Sequence, residues 1–179
     1  MTMNDDQTSQ AAPAEARDTR PNAARGGQFA ATVVFVSLVA ALAAQASAIL
    51  SLPVWMMFIG WTAFGSGRGS VRAGAVAVCC LLIGFLLGMA GLVGVDRLAP
   101  VLGVFALPVV VFLLVVVAML AQLTLLNSIV GYFLGMTAYF ASGLGPDTMA
   151  FVSLATAGFI GAAAGWVLIA GPRLVSRSR

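Results

Sequence analysis

The sequence has no histidine and no lysine, only two cysteines, and charged residues make up 8% of its 179 positions. Cys79 and Cys80 are neighbours, and on a helix their side chains would point about 100° apart. This pair favours neither a disulfide framework nor a metal site, so we expect no metal. No carboxylate lies within a long apolar run, which leaves no residue for a proton relay or a general base. We therefore expect a protein that has no cofactor and is not an enzyme.

Apolar side chains are what the sequence has in abundance, at 61% of residues and a mean hydropathy of +1.04. So few charges could not cover the surface of a soluble domain, which indicates that lipid surrounds most of the chain. Between residue 27 and the last seven residues, five charged residues interrupt the apolar sequence and are expected to mark the membrane surfaces: Arg68, Arg72, Asp96, Arg97 and Asp147. The arginines form no stripe, so the expected partner is the lipid bilayer and not a nucleic acid.

Six apolar segments follow a polar amino-terminal stretch. Residues 1–27 lack helical or strand periodicity and are predicted to be a disordered tail. Residues 28–171 predict an all-α transmembrane domain, a polytopic membrane helix bundle, and residues 172–179 a basic carboxy-terminal tail. The apolar segments are 28–50, 53–66, 71–94, 98–125, 128–142 and 148–171.

The chain repeats itself after 75 residues. The peptide FIGWTAF at residues 58–64 returns as FLGMTAY at residues 133–139, each between two long apolar runs. This predicts two three-helix repeats, about residues 28–96 and 97–171. An odd number of crossings per repeat makes the second copy enter the membrane from the opposite side, so the repeat is predicted to be inverted.

The second and fifth segments are short for membrane spans. They have 14 and 15 residues, whereas a helix that crosses a bilayer needs about 20. They are either short tilted spans or re-entrant hairpins. Six crossings with a cytoplasmic amino terminus place eight arginines inside and one outside, whereas re-entrant segments place seven inside and two outside. The positive-inside tendency favours six crossings of a bacterial inner membrane, with both termini cytoplasmic.

The first segment also imitates a secretory signal, because Arg25 precedes an apolar stretch that ends in QASA at residues 45–48. The acidic lead and the uncleaved counterpart at residues 98–125 favour a retained helix instead.

The repeated peptide has two different helix faces. On a helix, Phe58 and Thr62 share one face and Phe133 and Thr137 repeat it, while mostly small residues occupy the other. We interpret the aromatic and hydroxyl face as the lining of a narrow solute path near the membrane midplane. The alternative is packing, because threonines in membrane helices mostly bond to their own helix and aromatic residues near segment ends often lie at the interface.

Three amide side chains lie at membrane depth or at its edge, where each is costly to bury without a hydrogen bond. Gln45 and Gln122 fall near equivalent places in the first helices of the two repeats, so we assign them to the same path. They, and Asn127, either bridge helices or contact the solute. Six glycines are assigned to helix packing instead, because small residues allow close helix crossings: Gly60, Gly84, Gly88, Gly135, Gly161 and Gly165.

The repeated peptide, above all FLGMTAYFA at residues 133–141, together with the length and spacing of the spans, resembles the domain-of-unknown-function 1097 family of small bacterial inner-membrane proteins. The likeness covers about residues 28–171. It implies a fold and a membrane location, and it implies no particular activity.

Two functions are therefore expected from different classes. The first is a channel or facilitator for a small neutral or weakly polar solute, working as a homo-oligomer because the bundle is small for a pore of its own. The second is a non-transporting membrane scaffold or accessory subunit. A polar vestibule that ends at Thr62 and Thr137 would favour transport, and uninterrupted aliphatic packing there would favour the scaffold.

Overall fold

The structure is a computed structural model that describes residues 23–177. These residues form six α-helices and no strand, with one 3-10 turn at Gly103–Phe105. The helices are α1 (Ala23–Ile49), α2 (Val54–Gly65), α3 (Val71–Leu102), α4 (Ala106–Ala121), α5 (Ile129–Ser142) and α6 (Thr148–Arg177). The all-α class predicted from the sequence is confirmed.

Three stretches are long and apolar enough to cross a membrane, namely Phe29–Ile49, Val71–Ala121 and Thr148–Ala170. Two shorter apolar helices, α2 and α5, lie between them. Apolar helices of this length and number define a membrane protein, because a soluble fold of this size cannot cover so much apolar surface.

The chain divides into two units, residues up to Val34 and residues from Phe35 onward. In the first, residues 23–34 are helical. In the second, α2 packs mainly on α6 and α3 mainly on α5, while α4 packs on α3. Each short helix therefore pairs with a long helix that the sequence assigns to the other repeat.

The chain reverses direction at Gly103, between α3 and α4. Gly103 has a φ of 53°, a backbone conformation that only glycine adopts without strain. A Cβ placed on Gly94 would lie 3.4 Å from a methyl carbon of Val110, so α4 returns along α3. The predicted third segment ends at residue 94, whereas α3 continues to Leu102 with Asp96 and Arg97 exposed inside it. Their charges do not end the helix because an exposed charge leaves the backbone hydrogen bonds of a helix intact.

Two further helix ends differ from the predicted segments. Helix α1 begins at Ala23, inside the predicted tail, and α6 continues to Arg177, beyond the predicted end at residue 171. Hydropathy alone does not place these ends, because a helix can continue through polar residues. Residues 1–22 and 178–179 of the predicted tails lie outside the described residues.

Each short segment is one continuous helix that does not turn back within itself. With 12 and 14 residues, α2 and α5 are roughly 18 and 21 Å long at about 1.5 Å per residue.

Ser70 Oγ accepts a hydrogen bond from the Ala73 amide at the start of α3, and Ser128 Oγ accepts one from the Gly131 amide at the start of α5. Serine is a favoured residue at a helix start because it satisfies an otherwise unpaired amide.

Candidate functional site

Two pairs of helices, α2 with α6 and α3 with α5, pack most closely at glycine residues, where backbone contacts backbone. A Cβ on Gly84 of α3 would lie 2.5 Å from the carbonyl oxygen of Tyr132 in α5, and a Cβ on Gly135 would clash with the carbonyl oxygen of Leu81. In the other pair, a Cβ on Gly161 of α6 would clash with the carbonyl oxygen of Met57 in α2. No side chain fits at these positions, so the helices approach as closely as backbones allow.

The two crossings are equivalent position by position. Adding 75 to the number of a residue in α2 gives the equivalent residue in α5, and adding 77 to the number of a residue in α3 gives the equivalent residue in α6. By this rule Met57 corresponds to Tyr132 and Gly84 to Gly161, whose contacts were described above. The rule also relates the contact of Gly88 with Tyr139 to that of Gly165 with Phe64, and the contact of Gly60 with Gly158 to that of Gly135 with Leu81.

All six glycines that the sequence assigns to packing are buried in these two contacts. In both pairs the helices run in the same direction, because residues further along one helix contact residues further along the other. In the α3–α5 pair, Ala77 lies beside Gly131 and Gly88 lies beside Tyr139.

The faces assigned to the solute path point away from these contacts. Phe58 is 50% exposed and Phe133 is 40% exposed, and Thr62 and Thr137 are exposed beside them. Thr62 donates a 2.9 Å hydrogen bond to the carbonyl oxygen of Phe58 in its own helix. Phe133 and Thr137 line an open apolar groove of about 560 Å³ between α4 and α5.

The two glutamines lie in different local surroundings. Gln45 is exposed on α1, and Gln122 follows the end of α4, where its Nε2 lies 3.3 Å from the Met119 sulfur. Ala43 and Ala118 occupy equivalent buried positions against the adjacent helices, Ala43 beside Met57 and Ala118 beside Tyr132. This register aligns Gln122 with Ser47 and leaves Gln45 without an amide counterpart.

The space between the short and long helices is filled with apolar side chains. The central cluster draws on α2, α3, α5 and α6 and consists of Met56, Ala63, Leu81, Phe85, Ala138, Tyr139, Leu154, Ala155 and Ala157. Its one hydroxyl, that of Tyr139, donates a 2.7 Å hydrogen bond to the carbonyl oxygen of Gly145. This apolar cluster occupies the centre of the bundle, between the helices that carry Thr62 and Thr137.

A polar cavity of about 720 Å³ lies elsewhere, between residues 66–76 and residues 124–128. We call it the cationic vestibule, because Arg68 and Arg72 line it and neither Asp96 nor Asp147 does. The starts of α3 and α5, at the capping residues Ser70 and Ser128, also line it. Helix starts carry partial positive charge, so two helix dipoles add to the two guanidinium groups.

In the sequence, Arg68 and Arg72 indicate a membrane surface and support the six-crossing topology, and neither is assigned to a site. The signal that could have found the vestibule is topological: with alternating crossings, the loops before α3 and before α5 lie at the same end of the bundle. Asn127, which the sequence singled out as a costly amide, lines this vestibule.

The fold and the site define a polytopic membrane helix bundle in which two repeated helix pairs cross at glycines. The chain matches the family described as "Protein of unknown function (DUF1097)" over residues 33–171, well over half of its length, and it belongs to that family. The resemblance noted in the sequence is thereby confirmed. No curated protein and no solved structure matches the chain.

Proposed function

We propose that this protein is a facilitator for a small neutral or weakly polar solute, built from two inverted three-helix repeats. The observation that supports the proposal is the reciprocal packing of α2 on α6 and of α3 on α5 through equivalent glycines. Transporters with inverted repeats place their substrate path where the repeats meet. The same proposal has six crossings of a bacterial inner membrane, both termini cytoplasmic, and no enzymatic activity.

In this conformation the path between the repeats is closed. Large side chains such as Phe85 and Leu154 are fully buried at the centre, so a solute passes only if the helix pairs shift. Glycine at the crossings suits such a shift, because a residue without a side chain offers little resistance there to a small sliding of packed helices.

A second route lies between copies of the chain. The outward-facing Thr62 and Thr137 line a path only if a homo-oligomer brings these surfaces together. The variant Thr62→Val, Thr137→Val separates the two routes: it leaves flux unchanged if the path lies between the repeats of one chain and reduces flux if the path lies between copies.

The direct test is a swelling or uptake screen of small solutes in proteoliposomes, compared with protein-free liposomes. The shift is tested with Phe64→Cys and Gly165→Cys in a Cys79→Ala, Cys80→Ala background. A Cβ on Gly165 would lie 3.4 Å from the Phe64 Cβ, close to the separation of about 3.8 Å usual in disulfides. We expect flux in the reduced protein, loss of flux on oxidation and recovery on reduction. Equal flux in both states would contradict sliding between α2 and α6.

A membrane scaffold or accessory subunit is the second candidate, and the apolar centre favours it. A scaffold requires a rigid interior and an outward surface that partner proteins can contact. The exposed side chains of Phe58 and Phe133 provide such a surface. No protein-dependent flux for any solute in the screen, together with recovery of a stable partner protein by cross-linking in native membranes, would establish this function over transport.

A further inference from the structure

The cationic vestibule contains polar side chains for which residues 23–177 supply no partner. Within the described part of the chain, Arg68, Arg72 and Asn127 make no hydrogen bond and no ion pair through their side chains. By contrast, the hydroxyl groups around them are engaged: Ser66 donates to the carbonyl oxygen of Ala63 at 2.7 Å, and Thr124 to that of Ala121 at 2.7 Å. The unengaged donors thus include the two guanidinium groups and one amide, and the hydroxyls of Ser70 and Ser128 only accept.

The backbone at Arg68 is strained. Its φ is 50°, in the left-handed region that a non-glycine residue adopts at a cost. A glycine at this position would adopt the same φ without strain. A strained residue that carries an unpaired charge into a cavity indicates a role for its side chain in binding.

Two helix starts add amide donors. At each start the serine cap engages the third helical amide, so the first two amides of α3 and of α5 have no partner within their helix. Anions bind at such sites because the amides point at them and the helix dipole favours negative charge.

We propose that the cationic vestibule binds a phosphate group, carried either by an anionic lipid headgroup or by a soluble phosphate compound. A phosphate fits because its several oxygens accept from two guanidinium groups and from backbone amides at once, and arginine matches phosphate in planar, paired hydrogen bonds. The cavity, at about 720 Å³, is far larger than a bare phosphate and has the size of an organic ligand's site. Val76, Leu125 and Leu126 provide an apolar wall for the rest of that molecule.

This site does not depend on the proposed transport. It needs only the loop before α3 and the loop before α5 at one end of the bundle, and it serves a scaffold as well as a facilitator.

The test uses the full-length protein and follows unfolding by the fluorescence of its three tryptophans. One arm titrates inorganic phosphate against chloride at constant ionic strength in a zwitterionic detergent. The other compares nanodiscs of phosphatidylglycerol with nanodiscs of phosphatidylcholine. We expect a rise in unfolding temperature in at least one arm. A rise with inorganic phosphate indicates a soluble phosphate compound, and a rise with phosphatidylglycerol alone indicates a lipid headgroup.

Three variants decide whether the vestibule is responsible. Arg68→Gln and Arg72→Gln should each weaken binding about tenfold, the effect of losing a charge-assisted hydrogen bond. Arg97→Gln, at another exposed arginine of α3 outside the vestibule, should bind as the unmodified protein does.

Arg68→Gly separates binding from folding. Because glycine relieves the positive φ, the ligand-free variant should unfold at a higher temperature than the unmodified protein, yet bind phosphate as weakly as Arg68→Gln. The proposal is overturned if neither arm raises the unfolding temperature, or if Arg97→Gln weakens binding as much as the vestibule variants do.

Discussion

Gly84 of α3 and Gly135 of α5 touch backbone to backbone: a Cβ on Gly84 would lie 2.9 Å from the Cα of Gly135, and one on Gly135 would lie 2.7 Å from the Cα of Gly84. Because lipid tails are as apolar as leucine, helices in a bilayer associate largely through such close van der Waals packing. The contact between these two glycines therefore contributes directly to holding α3 against α5.

Replacing Gly135 with alanine tests this contact. The added methyl group meets the carbonyl oxygen of Leu81 and the Cα of Gly84, so we expect destabilisation of about 1–3 kcal/mol, typical of overpacking. Gly65→Ala is the matched control, because no atom lies within 4 Å of a Cβ there. Thermal unfolding in detergent measures both, and similar unfolding temperatures for the two variants would show that α3 and α5 do not pack at Gly135.

Two glycines one turn apart on α6 should differ in their tolerance of alanine. Gly161→Ala places a methyl group against the Met57 carbonyl oxygen, which is backbone, whereas Gly165→Ala places one 3.2 Å from the Phe64 ring. A ring can shift by a few tenths of an ångström more easily than a helix backbone, so Gly161→Ala should lower the unfolding temperature more. The reverse order would contradict the α2–α6 register described above.

Equivalent positions in the two repeats should respond alike. Gly84→Ala and Gly161→Ala both place a methyl group against a backbone carbonyl oxygen of the partner short helix. Both variants should therefore lose stability, each by about 1–3 kcal/mol. A large change at one and none at the other would show that the two crossings are not equivalent.

The hydroxyl of Tyr139 should stabilise the turn between α5 and α6. Tyr139→Phe removes the 2.7 Å hydrogen bond to the Gly145 carbonyl oxygen, for an expected loss of about 1 kcal/mol. Thr156→Val is the control, because it removes a bond of the same 2.7 Å length to Val152 within one exposed helix turn. Equal unfolding temperatures of Tyr139→Phe and the unmodified protein would exclude a structural role for this hydroxyl.

Labelling of single cysteines tests the six-crossing topology. In a Cys79→Ala, Cys80→Ala background, Ser66→Cys and Asn127→Cys line the same vestibule, so a membrane-impermeant maleimide should reach both from one side of a sealed vesicle. Leu144→Cys, in the loop between α5 and α6, should react from the other side. Labelling of residues 66 and 144 from the same side would contradict α5 as a full crossing.

The number and order of helices could be read from the sequence, and the exact turn between the repeats could not. Apolar runs longer than ten residues form helices in lipid because every backbone group must be paired internally. The charges at Asp96 and Arg97 looked like a boundary, but the chain turns at Gly103, where a positive φ is available. Hydropathy reports the environment of side chains, whereas helix ends depend on the backbone.

The path residues show where pattern reasoning reaches its limit. The period of a helix correctly separates the face of Phe58 and Thr62 from the face of Gly60, but it does not say which of them points inward. In a water-soluble protein the apolar face of a helix is buried. In a membrane protein both faces are apolar enough to contact lipid. Closeness of approach then decides, which buries glycine and leaves the aromatic side chains exposed.

The sequence by itself determined that this is a membrane protein of repeated helices, because apolar run length and the 75-residue repeat are properties of the chain alone. Tertiary structure decided that α2 joins α6 and α5 joins α3, and that two loops far apart in sequence meet around Arg68 and Arg72. The physical reason is that partner choice depends on matching backbone surfaces across the bundle, and no local pattern encodes which surfaces will meet.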